Sequence, residues 1–199
     1  MHPRVRAFGR ELPSFLVMIT VVFAARSSLA DHYTVPSGSM EYTLIPGDRI
    51  VVNKFAYGFR LPFTDVRLTS GPGIQRGEVV IFDSPEDGVR LVKRVVAVAG
   101  DTVSIQSGHL SINGAPLIDP SNPEIEIFGP RQAMLNLAYG GGEDLKPTRI
   151  ADGHVLTVGD ARGNSKDGRI FGPVEAATVY GRAVAVYYRS GEGLCWKGL

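Results

Sequence analysis

The sequence is poor in the residues from which several kinds of site are built. A single cysteine, Cys195, excludes an internal disulfide and any metal site made from several cysteines. The four histidines are scattered, with no H-E-x-x-H pattern, so we expect no metal and no other cofactor. A glycine-rich phosphate loop is missing as well. Because G-x-S-x-G is also absent, nothing here supports a Ser/His/Asp hydrolase with a nucleophile elbow.

A strong excess of either charge is also lacking. The 199 residues contain 21 basic and 20 acidic side chains, a net charge of +1, so we expect no nucleic-acid partner. The first 30 residues contain four arginines and one glutamate, a net charge of +3, which leaves −2 for residues 31–199. The basic excess therefore lies entirely at the start of the sequence.

One long hydrophobic run is present, from Leu12 to Ala25, between a basic segment and Arg26. As a helix, fourteen residues reach about 21 Å, short of the roughly 30 Å hydrocarbon core, which suits a secretory signal with Ser28 and Ala30 near its cleavage site. Continued through Ala30, the helix reaches about 28 Å and becomes a retained anchor. The retained anchor is our prediction, and the cleaved signal is its alternative.

The anchor prediction fixes the topology, because a basic flank stays in the cytoplasm. We therefore predict a cytoplasmic segment over residues 1–11, a single transmembrane anchor over residues 12–30 and an extracytoplasmic domain over residues 31–199.

Short β-branched runs separated by turn residues predict a mostly β fold for that domain. Helical turns are predicted near Ser39 and from Gln132 to Leu137, and the irregular stretch at about 115–150 indicates an inserted small subdomain. The predicted strands are Arg49 to Asn53, Glu78 to Asp83, Val89 to Ala99, Thr102 to Ile105, His109 to Ile112, His154 to Val158 and Tyr180 to Tyr188.

A serine and a lysine are the remaining candidates for catalysis. Ser39 ends a Ser-Gly-Ser turn shortly after the hydrophobic run. Lysine is scarce, with only five among the 21 basic residues, and strand alternation places Lys93 on one face with Leu91 and Val95. Desolvation there would lower the lysine pKa and yield a neutral amine that accepts a proton from a serine. A Ser-Gly-Ser turn and a strand lysine also occur without catalytic roles.

Five blocks of sequence carry these candidates in a recognisable order. The blocks are PSGSMEYTL at 36–44, GDRIVVNK at 47–54, RGEVVIF at 76–82, VKRVV with a following Gly-Asp within 92–101, and GDARGNSKDGR at 159–169. Together they resemble bacterial type I signal peptidases, the membrane-bound Ser/Lys proteases that remove signal peptides. The resemblance spans most of residues 13–185.

The resemblance implies a signal-peptidase-like β-fold catalytic core with an inserted small β subdomain, preceded by one transmembrane helix in the bacterial cytoplasmic (inner) membrane. It makes Ser39 the nucleophile and Lys93 its general base. The implied supporting residues are Ser37, whose hydroxyl joins the Ser39 amide in the oxyanion hole, Ser165, which orients the lysine, and the ion pairs Arg94 with Asp160 and Asp167 with Arg169.

The implied partners are the lipid bilayer and the signal peptides of preproteins emerging from the export machinery. Such a substrate would lie extended beside a strand, with small residues at the first and third positions before the cut.

Two alternative functions remain open at this stage. One is another Ser/Lys peptidase, such as a conjugation-type maturation peptidase; a self-cleaving repressor would need a DNA-binding helix pair where the hydrophobic run stands. The other is a non-enzymatic exported β-domain, favoured by Ala161, Gly163 and Gly168, which depart from the usual residues of the last block.

Overall fold

The computed structural model describes residues 15, 17–19, 30–58, 69 and 71–199. The predicted cytoplasmic segment 1–11 and most of the predicted anchor 12–30 lie outside these residues. Within the described part, the structure contains no helix with the length and apolar character needed to cross a membrane.

The described residues form a mostly β structure, which confirms the expected fold class. The strands are β1 (Ala30–Thr34), β2 (Arg49–Asn53), β3 (Val79–Asp83), β4 (Arg90–Val98), β5 (Thr102–Gln106), β6 (His109–Ile112), β7 (Ala115–Pro116), β8 (Ile118–Asp119), β9 (Asn122–Phe128), β10 (Arg131–Met134), β11 (Leu145–Arg149), β12 (His154–Val158), β13 (Val174–Glu175), β14 (Gly181–Arg189) and β15 (Gly193–Gly198). From residue 30 onwards, the helical elements of the described part are the 3₁₀ turns Gly38–Met40, Lys54–Tyr57, Arg162–Asn164 and Ala176–Thr178 and the short α-helix Gly168–Phe171.

All seven predicted strands are present, and the helical turn predicted near Ser39 is the 3₁₀ turn Gly38–Met40. The second predicted turn, at Gln132 to Leu137, is wrong, because Arg131–Met134 form β10 and pair with β9. Gln, Ala and Met are good helix formers, but burial of Ala133 between exposed neighbours follows the two-residue period of a strand. Tertiary pairing has overridden the local preference.

Antiparallel pairing assembles the described strands into three sheets. The large sheet has the order β1-β2-β14-β3-β4-β12-β13, with β15 added beside β14. A four-stranded sheet has the order β11-β5-β6-β7, and a three-stranded sheet the order β10-β9-β8. The strands of these two smaller sheets run from Thr102 to Arg149, and the inserted subdomain at about 115–150 stays a prediction.

Three apolar clusters stabilise this arrangement. One joins the smaller sheets to β4 and β12 through Val96, Ala97 and Leu156. The two others involve the large sheet, and one of them includes Met40 and Leu44, which follow Ser39 in the chain. Strand β4 contributes residues to all three clusters. Packing on both of its faces therefore fixes the position of this strand.

Candidate active site

Ser39 occupies the middle of the 3₁₀ turn Gly38–Met40. The Glu41 amide closes the turn by donating to the Gly38 carbonyl at 3.1 Å. Met40 and Leu44 are fully buried, so the residues after the serine are anchored in the core. The Ser39 side chain itself is only partly buried. The fold therefore presents this hydroxyl on a fixed backbone with access from outside.

Lys93 reaches this turn from β4. Its Nζ lies 2.6 Å from Ser39 Oγ, although 54 positions separate the two residues in the sequence. Only 2% of Lys93 is exposed. The structure thus brings together the two residues that the sequence singled out.

Burial lowers the pKa of Lys93 to about 8, because the charged ammonium loses its hydration. The negative charges of Asp167 and Asp160 oppose this shift and favour the ammonium, whereas the charge of Arg169 adds to the lowering. Lys93 is therefore an amine that can exchange its proton near neutral pH, as a general base must.

Arg94, the next residue on β4, forms a closed ion pair with Asp160. Its Nε and Nη2 donate to the two carboxylate oxygens at 2.8 and 2.7 Å, and its Nη1 donates to the Gly77 carbonyl at 2.8 Å. Both side chains are buried. Thr43 completes the cluster, since its hydroxyl donates to Asp160 at 2.5 Å and accepts from Arg94 at 2.9 Å. The structure contains the pair that the resemblance implied, while Thr43 lies in the first sequence block but was assigned no role there.

Asp167 and Arg169 form the second predicted pair, with Arg169 Nε 2.9 Å from Asp167 Oδ1. The Asp167 carboxylate also caps the helix Gly168–Phe171 and accepts from the Gly159 amide at 2.9 Å. Burial by itself would raise the pKa of Asp167, but the hydrogen bonds and charge of Arg169 outweigh it, and the pKa lies below its usual value. Asp167 is thus a fixed negative charge close to Lys93.

The two other predicted serines occupy different environments. Ser37 is exposed in extended backbone, and its hydroxyl donates to Ser39 Oγ at 3.3 Å. Among the described residues, the buried Ser165 hydroxyl has no hydrogen-bond partner of normal geometry, but it is close enough to Asp167 to help lower the pKa of that carboxyl. The structure therefore places the Ser37 hydroxyl beside Ser39 Oγ, whereas the Ser165 hydroxyl makes no hydrogen bond to Lys93 Nζ.

The segment that follows β12 lies directly against Ser39. The Ala161 amide donates to the Ser39 carbonyl at 3.1 Å, and a Cβ at position 159 would lie 2.5 Å from that same oxygen. Gly159 is thus required by close packing rather than by a turn. Arg162, to which the sequence assigned no role, is fully buried in this segment and pairs with Glu126. Neither Arg162 nor Glu126 was predicted to be a site residue, because charged side chains are usually exposed.

Comparison with known proteins identifies the family of this chain. The family model described as "Signal peptidase, peptidase S26" matches residues 9–188. Signal peptidase I of Pseudomonas aeruginosa is 34% identical over 94% of this chain and 73% of that protein, and signal peptidase I of Pseudomonas fluorescens is 32% identical over the same shares. Thylakoidal processing peptidase 1, chloroplastic, of Arabidopsis thaliana is 31% identical over 85% of this chain and 45% of that protein. These matches confirm the resemblance found in the five blocks, and the chain belongs to the signal peptidase family, peptidase S26.

Proposed function

We propose that this protein is a serine endopeptidase that removes signal peptides from exported preproteins, with Ser39 as nucleophile and Lys93 as general base. Membership of the signal peptidase family supports the substrate class. The observation that carries the chemistry is the 2.6 Å distance between Ser39 Oγ and a lysine amine that is almost completely buried. No histidine takes part.

The proposed reaction begins with Lys93 in its neutral form. Its Nζ accepts the proton of the Ser39 hydroxyl while Ser39 Oγ attacks the carbonyl carbon of the scissile peptide bond. The resulting oxyanion receives hydrogen bonds from the Ser39 amide and the Ser37 hydroxyl. The Lys93 ammonium then gives its proton to the leaving amine, which breaks the C–N bond and leaves an ester on Ser39. Lys93 then takes a proton from a water molecule that attacks the ester; the bond to Ser39 Oγ breaks, the acyl peptide leaves with a free carboxyl end, and the Lys93 ammonium returns its proton to Ser39 Oγ.

Two strand edges beside the site support an extended substrate. Residues 90–93 of β4 pair with β3, whereas β12 begins to pair with β4 only at Arg94. Strand β1 pairs with β2 alone among the described strands. No other described strand pairs with these edges, and a peptide that adds there as a further strand would bring its scissile carbonyl towards Ser39.

The proposal includes a membrane location, with residues 12–30 as a single retained anchor, residues 1–11 in the cytoplasm and the catalytic domain outside it. The +3 charge of the first 30 residues supports this orientation. Protease added to intact spheroplasts should digest the catalytic domain of the membrane-bound protein. Protection of that domain would contradict the orientation, and a mature amino terminus near residue 30 would favour the cleaved signal.

The decisive experiment is cleavage of a preprotein by the purified full-length chain in detergent. We expect the wild type to release a mature protein with a new amino terminus, and Ser39→Ala to release none. Ser111→Ala, in β6, is the matched control and should cleave normally. Retained cleavage by Ser39→Ala would contradict the assigned nucleophile. A wild type without activity would favour the exported β-domain without enzymatic function.

A further inference from the structure

The strand β9 buries a glutamate on the same face as an aromatic core residue. Alternation in Asn122–Phe128 offers the interior either Ile125 and Ile127 or Glu126 and Phe128. The second face is the buried one: Glu126 is completely buried and Phe128 is 5% exposed, while 39% of Ile127 is exposed. Burying a carboxylate in place of an aliphatic side chain is unfavourable unless the charge is matched. The burial of Glu126 therefore depends on a partner of opposite charge.

That partner is Arg162, which belongs to the segment beside Ser39. Its Nη1 and Nη2 donate to Glu126 Oε1 and Oε2 at 3.0 and 2.5 Å, a two-point contact between two fully buried side chains. Glu126 also accepts from the Leu110 amide at 2.9 Å. A carboxylate held by both β6 and β9 therefore fixes the plane and the position of the guanidinium.

The same guanidinium holds the backbone around it. Arg162 Nε donates to the Gly159 carbonyl at 3.2 Å, and Arg162 Nη1 also donates to the Gly108 carbonyl. The Arg162 carbonyl accepts from Arg169 at 2.6 Å. Arg162 thus ties residues 159–165 to both smaller sheets and to the Asp167–Arg169 pair.

This segment borders both proposed catalytic residues. Ala161 hydrogen-bonds the Ser39 carbonyl at 3.1 Å, and Asp160 acts through its charge on the pKa of Lys93. A shift of the segment would change both the alignment of Ser39 with Lys93 and the proton affinity of Lys93.

We propose that Glu126 is a positioning residue of the peptidase. By fixing Arg162 it holds residues 159–165 against Ser39 and Lys93, a role that rests on the proposed function of those two residues. The backbone of Asn136 also pairs with this segment, and Glu126 adds the buried carboxylate that orients Arg162, without contact between Glu126 and the substrate.

The test compares Glu126→Gln with Asp101→Asn in the full-length chain. Asp101 is a matched control, since it is also a buried carboxylate that accepts from an arginine, Arg76, and from a backbone amide, that of Val98. Preprotein cleavage is measured across pH, well below the melting temperature of each variant, with enzyme concentrations set by active-site titration. Circular dichroism and thermal unfolding report folding separately.

For Glu126→Gln we expect kcat to fall by about 10- to 100-fold, because small displacements of catalytic groups have effects of this size, while KM stays within about twofold because the substrate edges are untouched. A displaced segment would change the spacing between Lys93 and the charges near it, those of Asp160, Asp167 and Arg169, so the acid limb of the pH profile should also move. Asp101→Asn should keep the wild-type kcat and acid limb. Glu126→Asp, which keeps the charge with a shorter reach, should recover part of the lost kcat.

Wild-type kcat in Glu126→Gln, or an equal loss in Glu126→Gln and Asp101→Asn, would overturn the positioning role. If Glu126→Gln fails to fold, Arg162→Lys, which loses the two-point contact from the other side, takes its place, and a kcat within about twofold of wild type there would overturn it as well. An inactive wild type, or an active Ser39→Ala, would instead refute the proposed function and is read from the same assay.

Discussion

Lys93 and Arg94 are consecutive residues of β4 whose buried cationic groups have opposite surroundings. Lys93 Nζ faces the hydroxyl of Ser39, and desolvation lowers its pKa to about 8. Arg94 faces a carboxylate that matches its guanidinium with two hydrogen bonds. Successive strand side chains point to opposite sides, so one strand supplies a cation that can give up its proton and, one residue later, a cation that cannot. The depth of burial is nearly the same for both; the difference lies in the partner and in the side chain itself, because a guanidinium stays charged in proteins whereas a buried amine can lose its proton.

Removing the amine of Lys93 should have the largest effect, because Lys93 is the cation that can lose its proton. Lys93→Met keeps the length of the side chain without a basic group, so kcat should fall by about 100- to 10,000-fold, the usual contribution of general-base catalysis. Steady-state cleavage of a preprotein measures the loss. Lys166→Met, at an exposed lysine, should cleave like the wild type, and comparable losses in both variants would contradict a specific role for Lys93.

Breaking the ion pair between Arg94 and Asp160 should mainly lower the free energy of unfolding. Asp160→Asn leaves the Arg94 guanidinium buried without its matching charge, and losing one partner of a buried pair costs about 3–5 kcal/mol in the free energy of unfolding. Urea denaturation monitored by circular dichroism gives this value. Asp83→Asn removes the partner of Arg90 at a more exposed pair and should cost about 1 kcal/mol or less. Equal losses in the two variants would contradict the distinction.

The surroundings of Ser39 can be tested through the hydroxyl of its neighbour Ser37. If its hydroxyl stabilises the oxyanion, Ser37→Ala should lower kcat by about 100- to 1,000-fold with little change in KM, as for other single oxyanion donors. Ser37→Thr retains a hydroxyl and should recover part of the activity. An equal loss in the Ala and Thr variants would indicate that the shape of the turn matters rather than the hydrogen bond.

The smallest expected effect is a shift of the pH profile. Cleavage should rise with pH up to about 8, because only neutral Lys93 acts as a base. Asp167→Asn removes a negative charge that favours the ammonium, so the pKa of Lys93 should fall further and the acid limb should move to lower pH. Profiles of kcat for wild type and Asp167→Asn test the sign, and a shift to higher pH would show that Asp167 acts otherwise than through its charge.

Much of the strand pattern was accessible from the sequence, for a simple reason. Runs such as Arg49–Asn53 and His154–Val158 combine β-branched residues with flanking turn residues, and both strands have the predicted bounds. The strand Arg131–Met134 was missed, since good helix formers there are overruled by pairing with β9. Local preference predicts an element only where long-range pairing agrees with it.

The sequence by itself singled out Ser39 and Lys93, through a tight turn, a rare lysine on an apolar strand face and an ordered set of motifs. It also determined the charge asymmetry of the chain, because charge counts need no coordinates. Only the tertiary structure decided which charges are matched and which are left to titrate, since that depends on contacts across 54 positions for Lys93 and 36 for Arg162. The burial of Glu126 in place of Ile127 is the clearest case: the alternation allows both faces, and the buried one is the face whose Phe128 packs in the core and whose Glu126 pairs with Arg162.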